Sequence, residues 1–141
     1  MSTVLTLKVE TRLEELDRIF ASVEGLAERE DWSPALTFKV HLIIEEMGLN
    51  VINYGYDPEQ GLQEFDITLT SEPETLTIEI TDSGRPFNPL QDASQAVTDA
   101  ALEDRPIGGL GLHLVKEMTE NIQYRREHSK NHSKMVIRKS E

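Results

Sequence analysis

Cysteine is absent from this chain, which removes disulfides and thiolate metal sites and suits a reducing compartment. Long apolar runs are also missing. None approaches the roughly 20 residues that span a bilayer, so no membrane partner is expected. The N-terminus, Met1-Ser2-Thr3-Val4-Leu5-Thr6-Leu7-Lys8-Val9-Glu10, has no basic start and no cleavage motif. No signal peptide is expected, and the reading is cytoplasmic. Basic residues are scarce: 14 Lys and Arg stand against 26 Asp and Glu, a net charge of −12. Such a surface is repelled by nucleic-acid phosphates and anionic lipids, which argues against direct nucleic-acid binding. The densest basic stretch, Arg125 to Lys139, reads as a solvated strand pair. No repeat, low-complexity tract or Gly/Ser linker divides the 141 residues, a length that fits one domain over 1–141.

Periodicity supplies the elements. Val4 to Val9 alternates and reads as a strand. Thr11-Arg12-Leu13-Glu14 fits a capping box, followed by Leu13, Leu16, Ile19, Phe20, Val23 and Leu26 at helical spacing to about Arg29. Ser33-Pro34 opens a second helix with apolar stripe Leu36, Val40, Ile43, Ile44, Met47 and Val51, and Gly55 as its stop. Phe65, Ile67, Leu69 and Leu76, Ile78, Ile80 alternate on either side of Glu72-Pro73-Glu74, an antiparallel hairpin. Regularity fades from Arg85 to Ile107, a length typical of a functional loop, and a lid is expected at about 85–110. Leu110 to Met118 marks a third helix; Ile122–Arg126 and Lys134–Lys139 read as a last hairpin. The order β-α-α-β-β-lid-α-β-β implies an α+β fold. It is a two-layer sandwich whose mixed, mostly antiparallel sheet carries helices on one face.

Three segments could carry chemistry. On the second helix Glu46, Asn50 and Asn53 fall within an arc of roughly 60° bordering the apolar stripe. An amide oxygen suits Mg²⁺, and a carboxylate one turn away can take a proton from a hydroxyl. The competing reading is the polar flank of an amphipathic helix. Asp82 ends a strand, and Ser83-Gly84 turns the chain. Its carboxylate can accept from an exocyclic amino group, while Gly84 permits positive φ or close approach of a ligand; an ordinary turn explains the same residues. Gly108-Gly109-Leu110-Gly111-Leu112 precedes the third helix, where backbone N–H groups can face an anion, although a loop end needs glycines too. The four histidines show no metal spacing.

Together these segments resemble the ATP-binding domain shared by gyrase B subunits, heat-shock ATPase chaperones, sensor histidine kinases and mismatch-repair ATPases. Within it they look most like the small stand-alone bacterial branch, the anti-sigma-factor serine kinases. Glu46-x-x-x-Asn50 is similar to the helix motif of general base and magnesium ligand. Asp82-x-Gly84-x-Pro86-Phe87-Asn88-Pro89 resembles the adenine motif, and Gly109-x-Gly111-Leu112 the lid-to-helix phosphate motif. The resemblance implies a Bergerat-type fold and ATP with Mg²⁺ as cofactors. It implies Glu46 as catalytic base and Asn50 as metal ligand. Asn50, Asn53, Asp82, Gly84, Phe87, Gly108, Gly109, Leu110, Gly111 and Leu112 would contact the nucleotide. It further implies a sigma factor and an antagonist protein as partners, and a homodimer. Tyr54 stands where a histidine is common. Asn131-His132-Ser133-Lys134 stands where many relatives carry Gly-Thr supporting the adenine pocket, with Ser133 the candidate substitute. A serine/threonine protein kinase is the first reading, and a non-catalytic ATP-gated binding module the second. A detached histidine-kinase domain would need a phosphoacceptor helical hairpin that this sequence does not show.

Overall fold

The computed structural model describes residues 2–86, 88 and 109–139. The elements run β1 (Thr3–Glu10), α1 (Glu15–Glu30), α2 (Pro34–Asn50), a π-helical turn (Val51–Gly55), a 3₁₀ turn (Pro58–Gln60), β2 (Glu64–Ser71), β3 (Thr75–Asp82), α3 (Gly109–Met118), β4 (Asn121–Glu127) and β5 (Lys130–Arg138). Five strands form one sheet in the order β1-β2-β3-β5-β4. Among the described residues all four pairings are antiparallel, where a mixed sheet was expected. The expected lid lies outside the described residues except at its two ends. No described helix is long and apolar enough to cross a membrane.

Strand alternation decides which side is buried. Phe65, Ile67 and Leu69 of β2, Leu76, Ile78 and Ile80 of β3, and Met135 and Ile137 of β5 are all buried on one face. Against them lies the whole expected stripe of α2, from Leu36 to Val51, with Ile19, Val23 and Leu26 of α1. Each such side chain contributes about 1.5–3 kcal/mol by leaving water. Helix α2 lies between α1 and α3 and touches both. Its start is as read: the Ser33 hydroxyl accepts from the Leu36 N–H at 3.1 Å, and Pro34 occupies the first turn.

Two boundaries differ from the sequence reading. The capping box at Thr11 does not form, because the β1–β2 pairing runs on and takes its groups. Thr11 N–H donates to Gln63 C=O at 2.9 Å, and its hydroxyl accepts from Gln63 N–H at 3.0 Å. Helix α1 therefore starts at Glu15, leaving Leu13 outside the helix and 54% exposed. The last strand starts at Lys130 rather than Lys134, since His128 and Ser129 alone make the turn, with φ of 54° and 63°. That positive pair is the signature of a two-residue hairpin turn matched to strand twist. Asn131, His132 and Ser133 thereby become strand residues.

No side chain caps α1; Glu15 instead ties its first turn to the end of β1. Its buried carboxylate accepts the Glu10 N–H at 2.9 Å and two Arg18 guanidinium bonds at 3.1 and 3.0 Å. The Arg18 hydrogen bonds, then the Glu10 N–H, hold its carboxyl at about 2 instead of 4.5. A depressed carboxyl stabilises the fold above its unfolded value and ceases to do so as pH falls through the folded one. The stability difference between wild type and Glu15→Gln should thus be constant above about pH 5 and vanish on acidification toward pH 2. Thermal melts across that range check this; a difference independent of pH would contradict it.

Candidate functional site

The buried face of the central strands changes character along its length. Moving down the β3–β5 register, Leu76 faces Ile137, Ile78 faces Met135, Ile80 faces Ser133 and Asp82 faces Asn131. The last pair and Ser133 remain buried, at 8%, 4% and 9% exposure, so an apolar sheet ends in a polar floor. The end of α2 lies over it. Met47, Asn50, Val51 and Gly55 join Ile80, Asp82, Arg85, Asn131 and Ser133 around a pocket with about 380 Å³ of empty space, open on one side. That space includes the open solvent at the mouth, so the enclosed part is a shallow cleft.

Asp82 is held firmly. Its Oδ1 accepts the Gly84 N–H at 2.8 Å and the Asn131 side-chain amide at 2.9 Å. Buried carboxylates require such partners. The turn after it is pinned on three sides. Tyr56 Oη accepts the Ser83 N–H at 2.8 Å, the Gly55 carbonyl accepts the Arg85 N–H at 2.8 Å, and Arg126 donates to the Gly84 carbonyl at 2.7 Å. Burial pushes the Tyr56 phenol up. The basic C-terminal stretch is therefore only partly a solvated face, because Arg126 closes this turn. Among the described glycines only Gly61 has a positive φ, so Gly84 is not required for a left-handed turn. It is required by close approach, and the neighbour is the chain itself rather than a ligand. A Cβ at Gly84 would fall 2.2 Å from the Gly55 carbonyl oxygen.

The α2 residues separate. Asn50 lines the pocket and donates its amide to the Glu46 carbonyl at 2.6 Å, which orients the side chain so that its oxygen is the atom that could ligate a cation. Glu46 is one turn away and outside the pocket lining. Its Oε2 is buried with no hydrogen-bond partner among the described residues, and burial, then the neighbouring Glu45 charge, pushes its carboxyl up. An uncompensated carboxylate of this kind is a candidate proton acceptor. Asn53 is exposed and does not line the pocket. The 60° arc assumed α geometry, which ends at Asn50; the wider turn at Val51–Gly55 changes the angle per residue.

The glycines before the third helix fall at its N-terminus. Helix α3 begins at Gly109, so the N–H groups from Gly109 to Leu112 lack partners within the helix. Phe87 and Gly108 lie outside the described residues. Asn131, Tyr56, Arg85 and Arg126 were not singled out as site residues by sequence reasoning; the β3–β5–β4 register brings in Asn131 and Arg126, and the hydrogen bonds of the turn bring in Tyr56 and Arg85. Ser133, the candidate substitute for the relatives' threonine, lines the pocket. Among the described residues no cluster of three or more His, Asp or Glu could hold a metal ion alone.

Comparison with known proteins bears on the family and the fold. A family profile described as a histidine kinase-like ATPase domain matches residues 9–137. The serine/threonine-protein kinase BtrW of Bordetella bronchiseptica is 27% identical over 110 residues, 78% of this chain and 76% of that protein. Among solved structures, the SiaB–SiaC complex of Pseudomonas aeruginosa superposes with a TM-score of 0.67 at 12% identity, covering 94% of this chain and 88% of the other. The RsbU and RsbW domains of Rv1364c from Mycobacterium tuberculosis give 0.63 at 10% identity over 96% of this chain; the match spans 32% of that chain. At these identities the structural matches establish the fold.

The close approach at Gly84 yields a stability expectation. Gly84→Ala must push apart two backbone segments and should lower unfolding free energy by about 1–3 kcal/mol, the usual cost of overpacking. Chemical denaturation measures it, and an unchanged midpoint would show that the Gly55–Gly84 contact yields freely.

Proposed function

This chain belongs to the histidine kinase-like ATPase domain family, and we propose that it is an ATP-dependent serine/threonine protein kinase acting as an anti-sigma regulatory factor. One observation carries the nucleotide part. Residues far apart in sequence, Asn50 of α2 and Asp82 of β3, line a single pocket with an apolar wall and a polar floor. The name of the Bordetella relative supports the kinase assignment, and the SiaB–SiaC complex, with the joined RsbU and RsbW domains of Rv1364c, supports a protein partner.

Each residue would act through the group it presents. Asp82 uses one oxygen on Gly84 and Asn131, and its second oxygen would accept the adenine amino group. Met47, Val51 and Ile80 would pack against the base, excluding water. The Asn50 oxygen would be a hard neutral ligand for Mg²⁺, which takes few protein ligands when phosphates complete its shell. Mg²⁺ would supply neutralisation of the charge on the phosphates. Backbone N–H groups at the start of α3, from Gly109 to Leu112, would receive phosphate oxygens. Glu46 would take the proton from a serine hydroxyl of the antagonist protein. That oxygen forms the new bond to the γ-phosphorus, the β–γ bridging bond breaks, and ADP leaves. Positioning, charge neutralisation and a nearby base are what phosphoryl transfer requires. A sigma factor would be the protein held in check, and a homodimer the working assembly. A switch module that binds ATP without transfer is the second reading, favoured by the place of Glu46 outside the pocket lining.

One measurement separates these readings and a second tests the pocket they share. Glu46→Gln should retain MgATP affinity and lose transfer, because the amide keeps shape but accepts no proton. Wild-type transfer should rise with pH through the raised carboxyl value, since the ionised form is the base. Phosphate incorporation into a partner protein across pH reads both, and equal rates for the two proteins would remove Glu46 as base. Asp82→Asn should weaken ATP binding by about 10- to 100-fold, the scale of one hydrogen bond to a charged group. Calorimetry checks this, and an unchanged affinity would remove the adenine role.

A further inference from the structure

We infer that Asn131 is a positioning residue that fixes the Asp82 carboxylate and thereby sets a preference for purines carrying an amino group at position 6. The inference rests on the nucleotide reading of the pocket and deepens it.

The orientation of the Asn131 amide is determined by its neighbours. Its Nδ2 lies 2.8 Å from the Arg85 carbonyl oxygen and 2.9 Å from Asp82 Oδ1. A carbonyl oxygen has no hydrogen to give, so the group facing it is the NH₂. Both amide hydrogens are then committed, one to the aspartate and one to the backbone. The Asn131 Oδ1 faces the Tyr124 hydroxyl, which must therefore donate to it. Turning the amide over would set its oxygen against two acceptors and forfeit both of those bonds, leaving only a reversed contact with the Tyr124 hydroxyl.

This arrangement constrains Asp82 in turn. The aspartate Oδ1 takes two donors, Gly84 N–H from the turn after β3 and Asn131 Nδ2 from β5. Two fixed donors on one oxygen prevent the carboxylate from rotating about its terminal bond. Adenine's 6-amino group supplies a hydrogen to a fixed acceptor. Hypoxanthine and guanine place a 6-oxo group there, two acceptors with no hydrogen between them. A carboxylate that could swing would escape that repulsion, and one held by Asn131 cannot. Asn131 is 4% exposed, lines the pocket, and is opposite Asp82 in the sheet register, so it acts from directly beside the base reader. Its second hydrogen ties the same device to Arg85, which keeps the turn closed.

The test compares ATP with ITP, which differ in the base at position 6 and the adjoining ring proton. Calorimetric affinities for both are measured on the full chain in wild type, Asn131→Ala, Tyr124→Phe and Asp82→Asn, with melting temperature recorded for each. Wild type should prefer ATP. Asn131→Ala should lower the ATP-to-ITP ratio by about 10-fold, chiefly through weaker ATP binding. Tyr124→Phe, nearly isosteric and kept as the variant safest for folding, should lower the ratio by a smaller factor. Equal weakening of both nucleotides by Asn131→Ala, with Tyr124→Phe unchanged in ratio, would make Asn131 a packing residue and overturn the inference while leaving the nucleotide site standing. Unchanged ATP affinity in Asp82→Asn would overturn the pocket reading itself and the inference with it.

Discussion

A carboxylate buried at the end of an apolar sheet face is the constraint on which the rest of this molecule turns. Asp82 continues the row of Leu76, Ile78 and Ile80, yet it cannot be left there without donors. Its partners come from both neighbouring directions: Gly84 from the turn behind it and Asn131 from β5 beside it. Those partners need support of their own. Gly55 must approach Gly84 closely, Tyr56 must receive Ser83, and Arg126 must reach across from β4. The π-helical turn at the end of α2 delivers Gly55 and Tyr56 to that position. A helix distortion, a hairpin turn and a strand register are thus all fitted around one acidic group.

The opposite end of the same face offers a comparison. There Ser71 is also buried, and it bonds Glu30 and receives Lys139 at 2.6 Å, while Trp32 donates to Glu30 at 3.0 Å. Burial works against the Glu30 charge, but the hydrogen bonds from Ser71 and Trp32 hold its carboxyl below the usual value. That cluster is satisfied from within the protein and fastens the end of α1 to the sheet. At the Asp82 end the polar groups instead surround open space, and nearby Glu46 keeps a buried oxygen without a partner among the described residues. A closed network stabilises a fold, whereas an open one is available to a ligand.

Much of this was legible in the residues. Alternation in β2 and β3 named their buried faces correctly, and the helical stripe of α2 was complete, because core burial follows strict periods of 2 and 3.6. The pairing of Asn50 with Asp82 in one pocket followed the resemblance. Other features depended on tertiary context. Thr11 looked like a helix cap, but the β1–β2 ladder claimed its hydroxyl. Asn53 was placed on the cleft by α geometry that stops three residues earlier. Asn131 was noted only as the first residue of the segment standing where relatives carry Gly-Thr, with no role of its own. Its importance comes from facing Asp82 across a strand pair, and the two-residue turn at His128-Ser129 that sets this register uses residue types that rarely signal it.

The most direct test of the central proposition is a nitrogen-15 NMR titration of the chain with ATP, following each assigned backbone amide. The expected result is that shifts concentrate at Gly55, Gly84, Arg85, Asn131 and Ser133, around the buried carboxylate. Shifts confined to the opposite sheet face, at Gln123, Thr81, His132 and Lys134, would contradict it, as would no saturable shift at any of these residues.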